Sequence, residues 1–323
     1  RFCQVTGVQT CALPISLSRH SEAIRLLKYA PENPLVYYHL SWLLHKEGDR
    51  NGAEAFLDKA ESLSPELIFP HRVGTLACLE WAQMVRSSWK NNYYRSLLYA
   101  TMGNRAKATA LLKQCDNSDF APLYLFRSQM QEKEKDKLAD LLKAEELNPN
   151  DWRTGMAFIS FYQNRNRKKE ALAYAEKYFA QDPENYRIGL RYAKLLSDNE
   201  RYDKSLSILS ALEVLPNEGA YEGRVVYRNA HLKKSIDCLK KRQYARALKH
   251  VEASMIWPEN LGVGKPYEEN IDNHFEHFLQ GVIHEKMHNR KQAERCFDRV
   301  VGQTSFLSQS NILLTAKDRK SVV

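Results

Sequence analysis

A short motif near the C-terminal end has the spacing of a zinc site. Residues 284–288 read His-Glu-Lys-Met-His. On a helix, two histidines one turn apart can hold a metal ion while the glutamate between them acts as a base. No third ligand follows at the spacing of the longer form of this motif. We expect His284 to be a packed ring and His288 a turn residue, with metal binding as the weaker alternative, and we predict no cofactor.

A second set of side chains that could bind a ligand is positively charged. Arg187, Arg191 and Lys194 are spaced four and then three residues apart, so they lie on one face of a helix. Arg153 stands 34 residues before Arg187 and occupies the same position of a repeated pattern. This face could form a groove for a carboxylate or phosphate of a partner. The alternative is a solvated face that only keeps the protein soluble.

Aromatic residues lie on the corresponding side of an earlier helix. Tyr38 and Trp42 are one helical turn apart, and their rings could stack on a sugar or a peptide. The alternative is that they pack against the neighbouring repeat.

The segment Trp257–Tyr267 (WPENLGVGKPY) does not fit a helical pattern, because it holds two glycines and two prolines. A long ordered loop between helices often carries function. It could present Asn260, Lys265 and its glycine amides to a ligand or to another domain. It could instead dock Trp257 and Leu261 into the helices as a connector. We favour docking, as an interdomain contact.

The elements that must position these residues are paired helices. Between Trp152 and Asn217, two consecutive 34-residue blocks align without a gap. The apolar and small residues at matching offsets are Phe158, Tyr162, Ala171, Ala175 and Tyr178 in the first block, and Tyr192, Leu196, Ser205, Leu209 and Leu212 in the second. These offsets are typical of a tetratricopeptide repeat, in which two antiparallel helices cross where small residues meet large ones.

The same pattern recurs along the chain and predicts an all-α fold. Further matches are Ser21–Ala30, Pro34–Pro65, Asn91–Cys115, Asp119–Asn148 and Ile271–Val300. We predict about eight helix pairs in a right-handed superhelical array over residues 17–303, with Ala53, Ala171 and Ala293 buried at helix crossings. Two parts depart from the pattern: an irregular insertion at 66–90, expected to be one long helix, and the non-repeat loop at 257–270.

Composition limits the classes of protein that fit. Apolar residues make up 43% and charged residues 27% of the 323 residues, which is typical of a soluble globular protein. The formal net charge is +9, and it falls to +6 without the two end segments described below. A mild surplus spread through helices is normally a solvated surface, so we predict no nucleic-acid partner. No apolar run is long enough for a membrane span. Cys78, Cys115, Cys238 and Cys296 have no metal-ligand spacing; we expect buried free thiols.

Both ends differ from the rest of the chain. Arg1–Ser16 and Lys317–Val323 resemble translated sequencing adapter of the kind that flanks metagenomic fragments, so residues 1–16 and 304–323 are excluded as artefact and polar tail. We therefore expect the native protein to continue beyond both ends.

Several segments carry a more specific resemblance. They are Phe69–Arg72, Leu79–Ala82, Tyr93–Tyr94, Glu218–Gly223 and, above all, Pro258–Tyr267. They resemble the C-terminal half of large bacterial proteins in which a β-rich domain of unknown function, similar to sugar mutarotase or glycosidase accessory domains, precedes tetratricopeptide repeats. The resemblance implies a carbohydrate-related setting. It transfers no catalytic residue, because the matching positions have no assigned chemistry.

Together these features predict a non-catalytic protein-interaction scaffold that docks a partner or its own absent N-terminal domain. The alternative is an accessory part of a carbohydrate-active enzyme that contributes one wall of the substrate site. We predict no enzymatic activity for this chain itself.

Overall fold

The computed structural model describes residues 19–115, 118–217 and 220–302, and their regular secondary structure is entirely helical. In chain order the α-helices are α1 His20–Leu27, α2 Pro34–Lys46, α3 Arg50–Ser62, α4 Gly74–Val85, α5 Trp89–Thr101, α6 Arg105–Leu112, α7 Ala121–Met130, α8 Glu134–Leu147, α9 Trp152–Gln163, α10 Lys168–Gln181, α11 Tyr186–Asp198, α12 Tyr202–Ala211, α13 Glu222–Lys240, α14 Tyr244–Ser254, α15 His274–Lys286 and α16 Arg290–Gly302. Two 3-10 turns, Glu259–Leu261 and Glu268–Asn270, lie between α14 and α15. The predicted all-α class is confirmed. The adapter-like segments 1–16 and 317–323 lie outside the described residues.

The chain divides into two compact units, residues 1–149 and 150–323, here called the N-terminal unit and the C-terminal unit. In the N-terminal unit, α2 pairs with α3, α5 with α6, and α7 with α8. In the C-terminal unit the pairs are α9 with α10, α11 with α12, α13 with α14, and α15 with α16. Each pair is joined by a short turn, as expected of antiparallel neighbours.

The irregular part of the N-terminal unit differs from the prediction. Residues 66–90 do not form one long helix, since α4 covers only Gly74–Val85 and packs against α2 and α5. Before α4, Pro70 cannot donate a backbone hydrogen bond and Leu67 has a left-handed φ of +59°. After α4, the backbone of Arg86 is extended, and the Ser88 side chain caps α5 by accepting from Asn91 N. The segment is therefore divided by helix-stopping and helix-starting signals.

The repeat pattern correctly identified the buried face of the helices. All ten residues quoted for the two 34-residue blocks are buried. Ala53, Ala171 and Ala293 are buried at helix crossings, as predicted. Two glycines that share the 34-residue spacing show how close the helices come. A Cβ added to Gly155 would lie 2.5 Å from the Tyr178 ring, and the same change at Gly189 meets Leu212 at 2.5 Å.

Three buried serines link the two helices of a pair. Ser41 Oγ donates to Ala53 O at 2.5 Å, Ser205 Oγ to Ala193 O at 2.7 Å, and Ser235 Oγ to Ala247 O at 2.8 Å. Each bond joins residues twelve positions apart. The hydroxyl is thereby satisfied at a site where a larger side chain would force the helices apart.

The predicted cysteine state is confirmed. Cys78, Cys115, Cys238 and Cys296 are buried free thiols. Burial raises the pKa of the Cys78 thiol, so the reactive thiolate is disfavoured there.

Acidification is expected to destabilise the N-terminal unit through His39. This residue is 3% exposed, its Nε2 lies 3.3 Å from Thr75 Oγ1, and burial together with Arg72 lowers its pKa from 6.5 to about 4. Below pH 6.5 His39 becomes protonated in the unfolded chain, whereas in the folded chain it stays neutral down to about pH 4. Stability is therefore lost as the pH falls through this window, by about 3 kcal/mol at its lower end.

Urea unfolding across this pH range checks the expectation. His39→Leu should flatten the pH dependence, whereas His288→Gln, which changes an exposed turn histidine, should keep the wild-type profile. Equal profiles for all three proteins would contradict the assignment to His39.

Candidate functional site

The C-terminal unit contains an open cavity of about 800 Å³ between α9, α11 and the start of α13. We call it the α9–α11 cavity. Its lining combines aromatic, aliphatic and cationic side chains, which include Trp152, Met156, Tyr186, Arg187, Leu190, Arg191, Lys194, Val214, Leu215, Val225, Val226, Leu261 and Val263. Helices α9 and α11 are the first helices of consecutive repeats. Residues 34 positions apart therefore face the same side, as Trp152 and Tyr186 do.

Two arginines give the cavity its charge. The Arg187 guanidinium lies 5.6 Å from the Trp152 ring centre and 5.5 Å from that of Tyr186. Arg191 is half-buried, and its Nε is buried with no hydrogen-bond partner in the described part of the chain. Neither arginine forms an ion pair with any carboxylate that the structure describes. Both positive charges are therefore available to a ligand.

The third predicted cation shares one carboxylate with a second lysine, so its charge is partly compensated. Lys194 Nζ lies 2.6 Å from Asp198 Oδ2, and Lys233 Nζ contacts the other oxygen of the same carboxylate at 2.5 Å. Lys194 still lines the cavity, but part of its field is cancelled. Arg153 does not line it. Its exposed side chain rests 4.8 Å from the Trp152 ring and 3.4 Å from Asp151.

Of the two alternatives for Tyr38, the structure shows the packed one. The side chain is completely buried, its hydroxyl donates to Glu61, and its ring meets Tyr94 edge-on at 6.1 Å. Burial and the Glu61 carboxylate raise the pKa of the hydroxyl. No face of this ring is free to stack on a ligand. Trp42 is half-buried against the core formed with α1, and Lys46 Nζ lies 5.7 Å from its ring.

The loop after α14 is fastened to the C-terminal end of α12. The Asn260 side-chain amide donates to Leu209 O at 3.0 Å and to Leu212 O at 2.8 Å, and its backbone oxygen accepts from Val214 N at 2.8 Å. Leu261 is fully buried. Leu261 thus packs inside the C-terminal unit, as expected of a docked loop, and an interdomain contact through Asn260 or Leu261 stays a prediction.

Glycine explains why this loop can approach so closely. Gly262 has a left-handed φ of +66°, and a Cβ there would lie 2.6 Å from Val214 O. Trp257, by contrast, packs on Arg224 with 4.7 Å between guanidinium carbon and ring centre. Lys265 is exposed and pairs with Glu268, so a partner contact at Lys265 stays a prediction.

Replacing Asn260 with alanine should lower the free energy of unfolding by about 2 kcal/mol, because the carbonyls of Leu209 and Leu212 lose their partner. Asn270→Ala, at an exposed position of the same loop, is the matched control and should change stability by less than about 0.5 kcal/mol. Chemical denaturation followed by circular dichroism gives both values. Similar values for the two variants would show that Asn260 does not hold the loop.

The zinc-like motif lacks further ligands in the described chain. His284 is half-buried on α15, and His288 is exposed in the turn after it, with a left-handed φ of +59°. Among the described residues, no group of three histidines, cysteines or carboxylates could hold a metal ion. These positions fit the packing and turn roles expected for the two histidines.

Sequence reasoning found the cationic face but not the residues around it. Trp152 and Tyr186 were missed, although their 34-residue spacing and common helix face could have identified them. No pattern in the sequence indicates that Val214, Leu215 and Val263 line the cavity, because these residues meet only when the loop folds back. None of the helices in residues 19–115, 118–217 and 220–302 is long and apolar enough to cross a membrane.

Comparison with known proteins agrees with the helix pattern. Residues 35–67 and 165–220 each match a tetratricopeptide-repeat family. A search of curated proteins found no match. Chains of this kind form protein-binding scaffolds, and the all-helical fold seen here is the fold of tetratricopeptide-repeat proteins.

Solved structures with a related fold are also tetratricopeptide-repeat proteins. The C-terminal part of one from Cytophaga hutchinsonii is 10% identical with a TM-score of 0.47, covering 80% of this chain and 99% of that chain. One from Parabacteroides merdae is 13% identical with a TM-score of 0.39, covering 89% and 97%. A thermophilic one from Thermus thermophilus is 20% identical with a TM-score of 0.36, covering 59% and 97%.

Proposed function

We propose that the C-terminal unit is a non-catalytic binding module that holds an extended acidic segment of a partner protein in the α9–α11 cavity. The observation that carries this proposal is the pair of arginines, Arg187 and Arg191, which have no carboxylate partner in the described chain and stand beside an apolar wall. A segment that places an aspartate or glutamate between apolar residues matches both features.

The chemistry of the cavity favours a carboxylate. A guanidinium binds a carboxylate through two parallel hydrogen bonds, and a half-buried site strengthens them relative to water. Arg187 is held against two aromatic rings, so less side-chain freedom is lost on binding. Met156, Leu190 and Val226 offer apolar surface beside the charges, and burying it supplies affinity that does not depend on charge.

The source of the segment can be a separate protein or a domain of the same polypeptide, and the proposal holds for either. The accessory role in a carbohydrate-active enzyme stays a prediction. The aromatic rings of the cavity give it little support, because guanidinium groups already lie against Trp152, from Arg153 and Arg187, and against Tyr186. A sugar would have to displace them in order to stack.

Selection from a random peptide display library on the immobilised chain tests the proposal. The expected result is enrichment of peptides in which Asp or Glu is flanked by apolar residues. The double variant Arg187→Gln/Arg191→Gln should lose this enrichment. Arg153→Gln, which removes the same charge one repeat earlier and outside the cavity, should keep it.

Two outcomes would overturn the proposal. One is the absence of any enriched peptide on the folded wild-type chain. The other is a set of enriched peptides without an acidic bias, or with a bias that the double variant retains.

A further inference from the structure

A second cationic group in the C-terminal unit is buried and incompletely bonded. Arg224, in the first turn of α13, is 5% exposed, and its Nη2 donates to Ser254 O at 2.7 Å. Its Nε and Nη1 are buried and have no hydrogen-bond partner in the part of the chain that the structure describes. The adjacent Trp257 indole also has a buried, unpartnered Nε1. Three donor nitrogens thus lack acceptors at one place.

The charge at this place is also unbalanced. Arg228, one helical turn after Arg224, binds the fully buried Glu276 carboxylate through both of its oxygens, with Nη2 at 2.6 Å from Oε2. That carboxylate is therefore engaged by Arg228. No carboxylate among the described residues pairs with Arg224. Glu276 and, through its charge alone, Asp272 act on Arg228, while Arg224 has no carboxylate paired with it.

The backbone supplies only part of the missing negative charge. Ser254 is the last residue of α14, so its carbonyl lies at the negative end of a helix dipole, which amounts to about half a charge. Burial, and secondly the charge of Arg228, lower the pKa of Arg224, while Glu276 acts in the opposite direction. A buried cation and unpaired donors are both costly to folding.

We propose that an oxyanion, either a carboxylate or a phosphate, binds beside Arg224 and Trp257 and accepts hydrogen bonds from Arg224 Nη1 and from Trp257 Nε1. We call this place the Arg224 site. It is independent of the proposed function, because neither Arg224 nor Trp257 lines the α9–α11 cavity.

A cavity lies beside Trp257 on the loop side, and Arg224 itself does not line it. This cavity of about 610 Å³ is lined by Met255, Ile256, Trp257, Val263 and Gly264 together with two charged residues, Glu259 and Lys265. Lys265 pairs with Glu268, so the carboxylate of Glu259 leaves the rim of this cavity with a negative charge. Attraction of an anion therefore depends on Arg224. Ordered water could satisfy the donors, but water would leave the charge of Arg224 unbalanced.

Titration of the full chain with inorganic phosphate and, separately, with acetate at constant ionic strength tests the proposal. Isothermal calorimetry should show saturable binding of at least one of them. Arg224→Gln should weaken that binding at least tenfold, and Trp257→Phe, which keeps the ring but removes the N–H, should weaken it severalfold. Arg187→Gln in the α9–α11 cavity should retain the binding event that Arg224→Gln weakens. Stronger binding of phosphate indicates a phosphate-bearing ligand, and equal or stronger binding of acetate indicates a carboxylate.

Two results would overturn the proposal. One is the lack of saturable binding of either anion to the wild-type chain, which would leave water as the occupant. The other is equal affinity in wild type, Arg224→Gln and Trp257→Phe, which would show an adventitious ion only. If Arg224→Gln fails to fold by circular dichroism, Trp257→Phe decides, because it keeps the ring that packs on Arg224. Loss of peptide binding by Arg187→Gln with intact anion binding would separate the two sites.

Discussion

Replacing Glu276 with alanine is expected to lower the free energy of unfolding by about 3–5 kcal/mol. The Glu276 carboxylate is fully buried and binds Arg228 through both oxygens. Its loss leaves Arg228 and Arg224 as two buried or half-buried cations one turn apart on α13, with no described carboxylate between them. Urea unfolding of the variant, followed by circular dichroism, measures the loss.

The matched control is Glu252→Ala, which removes an exposed carboxylate from the neighbouring helix α14 and should cost less than about 0.5 kcal/mol. The double variant Arg228→Met/Glu276→Leu should recover most of the stability, since replacing both charges by apolar groups avoids an unpaired ion. A loss below about 1 kcal/mol for Glu276→Ala would show that the pair does not hold α13 against α15.

Truncation of Phe158 to alanine is the second change with a large expected effect, a loss of about 3–5 kcal/mol in the free energy of unfolding. Phe158 is fully buried where α9 crosses α10, and its ring stacks on Tyr174 at 4.3 Å and on Tyr162 at 6.4 Å. Removing the ring loses the free energy gained from burying its apolar surface, and it opens a cavity that the crossing helices cannot close.

Phe158→Leu keeps most of the volume and should cost about 1 kcal/mol, which makes it the matched control for shape. Denaturant midpoints and slopes for both variants give the comparison. If alanine and leucine cost the same small amount, Phe158 is not a core residue of the repeat and the register of the 34-residue pattern is wrong.

The fold could be predicted from the sequence where the repeat pattern of apolar residues and the packing of neighbouring helices bury the same residues. Phe158, Ala171 and Tyr192 occupy repeat positions that are buried, because each repeat packs its apolar face against its neighbours. The helix pattern alone failed at 66–90, where the backbone is broken at Leu67, Pro70 and Arg86. Pro70 is visible in the sequence as the entry to a helix. The interruptions at Leu67 and Arg86 are shown only by their dihedral angles.

The candidate site was predictable only in part, for similar reasons. The common face of Arg187, Arg191 and Lys194 follows from helical spacing, and the structure places all three at one cavity. Partial compensation of Lys194 by Asp198 was visible four residues along the helix. Contacts between distant residues had no local signal. Arg228 meets Glu276 and Asn260 meets Leu212 across 48 positions each, and these contacts depend on the folded chain.

The most direct test of the central claim is the dissociation constant of an acidic peptide recovered by display, measured by fluorescence anisotropy. A carboxylate bound by the exposed Arg187 and the half-buried Arg191 predicts that Arg187→Gln/Arg191→Gln weakens binding by at least thirtyfold, about 2 kcal/mol, while Arg153→Gln stays within twofold of wild type. Replacing the acidic residues of the peptide with glutamine or asparagine should weaken binding to wild type by a similar factor. Equal dissociation constants for wild type and the double variant would contradict the account.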